Sequence, residues 1–207
     1  VPADTLQPGT IYTVTLKEGL GRTQGEGRLG AYTFQFETAD PVAEGEWSAF
    51  HVFDESAEFG TGTVPHFRIW DKGKGDEYTV AVYRYSDAAG YIRALRGTFA
   101  VPGWSSVARD RHREPTEGLA SVAAFTATPV EAEYDRYLAL PEPLPAGYYL
   151  AEIQLGRAVR QVHFQVTNLS YYLAESTTGG LVWLNDLATG RPAAGAELFL
   201  PDGTPAA

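Results

Sequence analysis

Five stretches of this chain alternate apolar and polar side chains with a period of two, a pattern that suits an extended backbone lying on a core. In Ile11–Leu16 the side chains of Tyr12, Val14 and Leu16 share one face, and Thr13 and Thr15 the other. Tyr32, Phe34 and Phe36 alternate with Thr33, Gln35 and Glu37. Tyr78, Val80 and Val82 make a third apolar face, Tyr149, Ala151 and Ile153 a fourth, and Val162, Phe164 and Val166 a fifth, set against Gln161, His163 and Gln165. One wet and one dry face per strand is the habit of antiparallel sheets. Turn signals separate the strands: Gln7-Pro8-Gly9, the glycines between Gly19 and Gly30, Asp71-Lys72-Gly73-Lys74-Gly75-Asp76 and Leu144-Pro145-Ala146-Gly147. Many short strands so punctuated predict β-sandwiches. One segment departs from the pattern: Asp87 can cap a short helix on which Tyr91, Ile92 and Leu95 share a face before Gly97 ends it. Residues 104–117 are charged and aperiodic, which predicts a long surface loop.

Periodicity fails over residues 39–46 and, more briefly, over residues 167–172, dividing the chain into 1–40, 41–168 and 169–207. End segments of about 40 residues bury too little surface to stand alone. Each is therefore expected to belong to a larger module or to pack on the middle one. The composition suits packed cores, with 44% hydrophobic and 13% aromatic residues. A net charge of −10 repels phosphate backbones and anionic headgroups, which argues against nucleic acid as a partner. Arg109, Arg111, His112 and Arg113 run against that average, but Asp110 and Glu114 flank them, and the expectation is a solvated surface turn. No cysteine is present, which removes disulfides, thiolate metal sites, a cysteine nucleophile and a Cys-derived thioester. No apolar run reaches the ~18 residues of a membrane span, and no basic-then-apolar leader opens the chain. A start at Val1 and the absence of methionine predict a processed or excised chain.

The residues offer little chemistry. His51, His66, His112 and His163 lack the spacing of a helical zinc pair, and no G-x-S-x-G elbow occurs. Gly19, Gly21 and Gly25 superficially suggest a phosphate cradle, but no βα unit follows them, so a hairpin loop is expected. Asp54 with Glu55, or Asp76 with Glu77, could serve glycoside hydrolysis, and residues 71–77 could bind calcium. Solvated turns are the plainer reading. Among the tryptophans, Trp47, Trp70, Trp104 and Trp183 could stack on sugars; Trp70 and Trp183 are expected in the core and Trp104 at the surface. Asn168-Leu169-Ser170 has the form of a glycosylation sequon at a junction between modules. No catalytic, metal or cofactor residue is assigned.

Four stretches, LVWLNDLATGRPAAGAELFL (181–200), LPEPLPAGYYLAEI with FQVTNLS (within 140–170), EYTVAVYRYSDAAGYIRALR (77–96) and LQPGTIYTVTLKEGLGRTQGEGRLGAYTFQFET (6–38), together resemble the N-terminal region of bacterial alpha-macroglobulins. Residues 181–200, LVWLNDLATGRPAAGAELFL, resemble a macroglobulin-domain hairpin with its Thr189-Gly190-x-Pro192-x-x-Gly195-Ala196 turn. Residues 140–170, with LPEPLPAGYYLAEI and the closing FQVTNLS, look like the end of the preceding macroglobulin domain. Residues 77–96, EYTVAVYRYSDAAGYIRALR, are similar to a strand-then-helix of bacterial members, and residues 6–38 resemble the second half of a bacterial Ig-like domain. The resemblance implies an all-β fold of tandem Ig-like and macroglobulin-like antiparallel sandwiches with one short helix. It implies the C-terminal part of a bacterial Ig-like domain in 1–40, a macroglobulin-like sandwich in 41–168 and the start of another in 169–207. It also implies a non-enzymatic scaffold in a protease-trapping protein at the bacterial surface, in the periplasm or outside the cell. The partners would be neighbouring domains of the parent chain and, through the parent, proteases, with bait segment and thioester elsewhere. The alternative is a cell-surface glycan-binding or adhesin module.

Overall fold

The computed structural model describes residues 5–19, 30–40, 50–71, 77–132, 134–199 and 204. The five alternating stretches are all strands. β1 (Ile11–Leu16) and β2 (Tyr32–Glu37) form an antiparallel pair in which Tyr12 lies opposite Phe36, Val14 opposite Phe34 and Leu16 opposite Tyr32. The apolar residues of both strands thus share one face, and the rings of Tyr12 and Phe36 stack at 5.7 Å.

Among the described residues the central body has nine strands: β3 (Phe50–Val52), β4 (Ser56–Phe59), β5 (His66–Asp71), β6 (Tyr78–Arg84), β7 (Ala120–Ala127), β8 (Val130–Ala132), β9 (Asp135–Ala139), β10 (Gly147–Leu155) and β11 (Ala158–Val166). One sheet runs β3-β5-β9-β8 and the other β4-β11-β10-β6-β7. Lettered in chain order these are ABED against A′GFCC′, the immunoglobulin arrangement with strands added at the edges of CFG. The pairing is antiparallel except where β4 runs parallel to β11, because the chain crosses from one sheet to the other between β3 and β4.

The inward faces interlock. Phe50, Phe67, Ile69 and Leu138 from the first sheet meet Tyr78, Val80, Tyr149, Ile153, Val162 and Phe164 from the second, all buried. Phe50 meets Tyr78 edge-on at 5.2 Å, and Phe164 lies between Tyr149 at 5.1 Å and Phe67 at 5.4 Å. Such aromatic pairs add to the area they bury and hold the sheets together without a disulfide. At one end of the core Asp71 has a fully buried side chain, bound by Arg136 and by the Tyr78 hydroxyl at 2.5 Å.

The LPAGYY stretch has a local explanation. The Tyr149 hydroxyl donates to Pro145 O at 2.7 Å, the tyrosine corner at the start of strand F in such sandwiches. Gly147 leaves room beside it, since a Cβ there would stand 3.1 Å from Arg84 Nε and 3.2 Å from the Tyr149 hydroxyl. Buried Ala151 follows Tyr149 by two residues, where antibody domains carry their second cysteine.

Two helices, not one, interrupt the strands between β6 and β7. α1 (Ala88–Ala100) is capped as expected, with Asp87 Oδ1 accepting from Gly90 N at 2.7 Å. It continues past Gly97, which lies within it. Its sheet-facing positions are Tyr91, Ala94, Leu95 and Thr98, whereas Ile92 is exposed. α2 (Ser106–Arg111) lies in the stretch expected to be a loop. Its first turn is tied to β2: Ser105 Oγ donates to Glu37 Oε1 at 2.6 Å, Ala108 N to the same oxygen at 2.7 Å, and Val107 N to Oε2 at 3.1 Å. Sequence period could not show this helix, because a carboxylate far away in the chain completes its capping.

After β11 only Thr167 and Asn168 precede β12 (Leu169–Ser176), which pairs with β13 (Gly179–Asp186) and, through it, with β14 (Arg191–Pro192). Gly190 and Gly195 flank β14 with φ of 66° and 76°, values that glycine adopts without strain. Pro192 sits on an edge strand, where its missing N–H costs no ladder bond.

Candidate functional site

The inserted helices help to form a cleft on the outside of the sandwich. A cleft of about 600 Å³ opens between the β3–β4 crossing, the end of α1, α2 and the outer side of β11. His51, Glu55, Thr98, Arg109, His112 and Arg160 are among its lining residues. The basic run expected to be a solvated turn is pinned down here. Arg109 pairs with Glu55, and Arg111 with the buried Asp40. Arg113 donates to Asp110 O at 2.6 Å, to His112 O at 2.5 Å and to Val159 O. Gln161 seals the neighbouring loop: its Oε1 accepts from Glu114 N at 2.8 Å, and its Nε2 donates to Glu114 O at 3.1 Å.

Electrostatics follow this packing. Burial alone would raise the Glu37 carboxyl, but the Ser105 hydroxyl, the N–H groups of Val107 and Ala108 and the Arg111 charge outweigh it and hold it below its ordinary value. Burial, with Arg160 and Arg109 nearby, lowers His51. His163 was expected on the wet face of its strand and is instead only 1% exposed beneath α1. Its Nε2 lies 3.0 Å from Thr98 Oγ1, and its ring stacks on Tyr85 at 6.3 Å and meets Tyr91 at 6.0 Å. Burial, helped by His112, pushes its pKa down to about 4. Burial, then Glu58 and Tyr148, pushes Tyr91 up to about 12.

Thr98 beside His163 has the outline of a nucleophile and its base. The rest of such a site is missing among the described residues. His163 Nδ1 finds no partner to orient it, and an imidazole of such low basicity is a poor proton acceptor at neutral pH.

The remaining candidates are scattered. His66 lies on the outer face of β5, 5.6 Å from the Tyr137 ring, with its Nδ1 3.0 Å from Val64 O. His112 Nε2 contacts Glu114 Oε1 at 2.8 Å. Among the described residues no three His, Asp or Glu side chains come together as metal ligands. Asp54 lines the cleft while its neighbour Glu55 is engaged by Arg109. In the candidate calcium turn, Asp71 is consumed by Arg136 and Tyr78, and residues 72–76 lie outside the described residues. Gly21, Gly25, Trp47 and residues 41–46 of the expected linker also lie outside them.

Trp104 is 53% exposed, as its polar surroundings predicted. The expectation of core positions for Trp70 and Trp183 is overturned, since they are 48% and 50% exposed. Trp70 is even-numbered on a strand whose odd-numbered Phe67 and Ile69 point inward, so alternation turns it out. Asn168 is spent on structure: its Oδ1 accepts from Thr61 N at 3.2 Å and from the Thr61 hydroxyl.

Sequence reasoning missed Arg160, which supports the cleft from below. It occupies a core-facing position of β11 at 9% exposure, paired with Asp110 at 2.7 Å and 5.3 Å from the Phe50 ring centre. The signal was present, as an arginine in phase with Ala158, Val162, Phe164 and Val166.

No family model matches the chain, and no curated protein matches it. Solved structures with a related shape include a DUF4784 family protein from Bacteroides caccae ATCC 43185, at 10% identity and a TM-score of 0.31, the match covering 70% of this chain and 43% of that one. The chain therefore spans less than half the length of that protein. Another is a chicken TCR, at 12% identity and a TM-score of 0.26, covering 76% of this chain and 84% of that one. Neither likeness bears on function.

Proposed function

We propose that the chain is a shape-holding, protein-contacting segment of a bacterial alpha-macroglobulin-type protease trap, acting outside the cytoplasm and without catalysis of its own. The observation that supports this reading best is the junction after the sandwich. Two residues separate β11 from β12, and the Asn168 side chain is tied back to Thr61, while Thr167 N donates to Phe59 O at 2.9 Å. A protein that works by shifting whole domains needs neighbours coupled this tightly, so that movement of one is passed to the next. The hairpin that resembles a macroglobulin domain begins directly beyond that joint. Its partners are the neighbouring domains of the parent chain and, through the parent, proteases.

The test incubates the protein that carries this segment and the sequence beyond residue 207 with a broad-specificity protease. A trap leaves cleavage of a small chromogenic peptide intact and blocks cleavage of a large protein substrate, whereas residues 1–207 alone block neither. Inhibition by residues 1–207 alone, or undiminished cleavage of the large substrate in the presence of the parent, overturns the reading.

The half-exposed indoles of Trp70, Trp104 and Trp183 favour a second reading, a surface glycan-binding module. Saturable binding on a polysaccharide array, abolished by Trp104→Ala, would support it over the first.

A further inference from the structure

A second cavity, about 220 Å³ in volume, lies between the end of α2 and the start of β11. Arg111, Arg113, Arg157 and Arg160 line it, with Asp110 the one acidic residue among them. The whole chain carries 16 Lys and Arg against 26 Asp and Glu, so this local excess of positive charge reverses the average. Two of the four charges are matched, Arg160 by Asp110 and Arg111 by Asp40. Among the described residues Arg113 donates to three backbone carbonyls and to no carboxylate. Arg157, exposed in the turn formed by Gly156, makes no hydrogen bond or ion pair among the described residues.

The cations are also held in place. Burial, and after it the charge of Arg160, lowers the pKa of Arg113 against the opposing pull of Asp110 and Glu152, and an anion in the cavity would offset the repulsion between the two cations. The Arg113 contacts to Val159 O and His112 O fix the direction of its guanidinium plane. Arg160 is clamped between Asp110 and the Phe50 ring. Planar guanidinium forks match the paired oxygens of an oxyanion, which an ammonium group cannot do.

We propose that this arginine-lined cavity is an oxyanion site that takes a phosphate or sulfate group, free or as the monoester end of a larger molecule. The site does not depend on the protease-trap reading.

Calorimetric titration of the 207-residue chain, at ionic strength held constant with sodium chloride, tests it. The probes are inorganic phosphate, inorganic sulfate, phosphoserine and N-acetylglucosamine 6-sulfate. Saturable one-to-one binding of at least one probe is expected, weakened about tenfold by Arg157→Gln, the cost of one charge-assisted contact. Arg157 is exposed, so its replacement leaves the fold intact, which circular dichroism verifies. Arg191→Gln, which removes the same charge from edge strand β14, leaves the affinity unchanged. A preference for either ester over its inorganic parent assigns the site to a larger ligand, and equal binding assigns it to the free anion; both support the proposal. Absence of binding by all four probes, indifference to Arg157→Gln, or equal weakening by Arg191→Gln overturns it.

Discussion

The β10–β11 pair and the β12–β13 pair are written in the same kind of sequence and end in opposite states. On β11, Val162, Phe164 and Val166 are buried against the opposite sheet, while Gln161 and His163 on the other face lie under the segment inserted between β6 and β7. The β12–β13 pair has apolar residues on both faces: Tyr171 opposite Leu184 and Leu173 opposite Val182 on one, Tyr172 opposite Trp183 on the other. Yet Tyr171 is 66% exposed. Alternation decides which side chains travel together. Burial is conferred by a second layer, and the sandwich contains one for β10–β11. A sheet apolar on both faces is suited to cover on both.

The largest effect should come from the centre of the covered pair. Phe164 touches Tyr149, Phe67 and Phe59 at once. Phe164→Ala removes the ring around which both sheets are packed and should cost about 4 kcal/mol, read as a fall in the urea midpoint. A loss below about 1 kcal/mol, within the range of surface substitutions, would show that the two pairs are not different after all.

His163 gives the next effect, and only because α1 covers it. Its folded pKa of about 4 lies below the ordinary 6.5, so between those values the unfolded chain binds the proton that the folded one refuses. Stability from this group is complete above pH 6.5, declines as the pH falls towards 4, and declines no further below. The full loss is about 3 kcal/mol by linkage. Tyr85 and Tyr91 face the ring, Thr98 bonds it and His112 adds its charge. Urea titrations at pH 7 and pH 5 should differ in the native protein and differ much less in His163→Gln. Equal pH dependence in the two would mean that the outer face of β11 is as wet as its sequence suggests.

Strand positions were legible because alternation is a local property. All five stretches are strands, and the Asp87 cap stands where a helix start was read. What escaped depends on partners far off in the chain. α2 is capped by Glu37, about 70 residues away by chain separation. His163 looked solvent-facing because its cover comes from an insertion between β6 and β7. Trp70 and Trp183 are expected inside because they lie in strand-like contexts, although a strand context says nothing about which of its faces has a neighbour. The cleft was illegible for the same reason, since Glu55 lies between β3 and β4, Arg109 on α2 and Arg160 on β11.

A smaller effect separates a corner from a core. Tyr149→Phe keeps the ring on Phe164 and deletes only the hydroxyl that donates to Pro145 O. It should cost about 1 kcal/mol, the net worth of one such bond. A loss approaching that of Phe164→Ala would mean that the corner holds the whole β9–β10 connection in place.

The smallest effect is expected from the largest side chain in the comparison. Trp183 is half exposed, and its indole N–H is satisfied by Asn185 Oδ1 on its own strand at 3.0 Å. Trp183→Ala therefore leaves little cavity and no distant partner unpaired, and in the 207-residue chain it should change stability by no more than about 0.5 kcal/mol. The outcome turns on what covers β13. If a neighbouring module seats on that face, the same substitution in a longer chain should cost several times more, because the indole would then be removed from a packed interface. Measuring Trp183→Ala in both lengths shows whether the exposed sheet is a free surface or half of a joint.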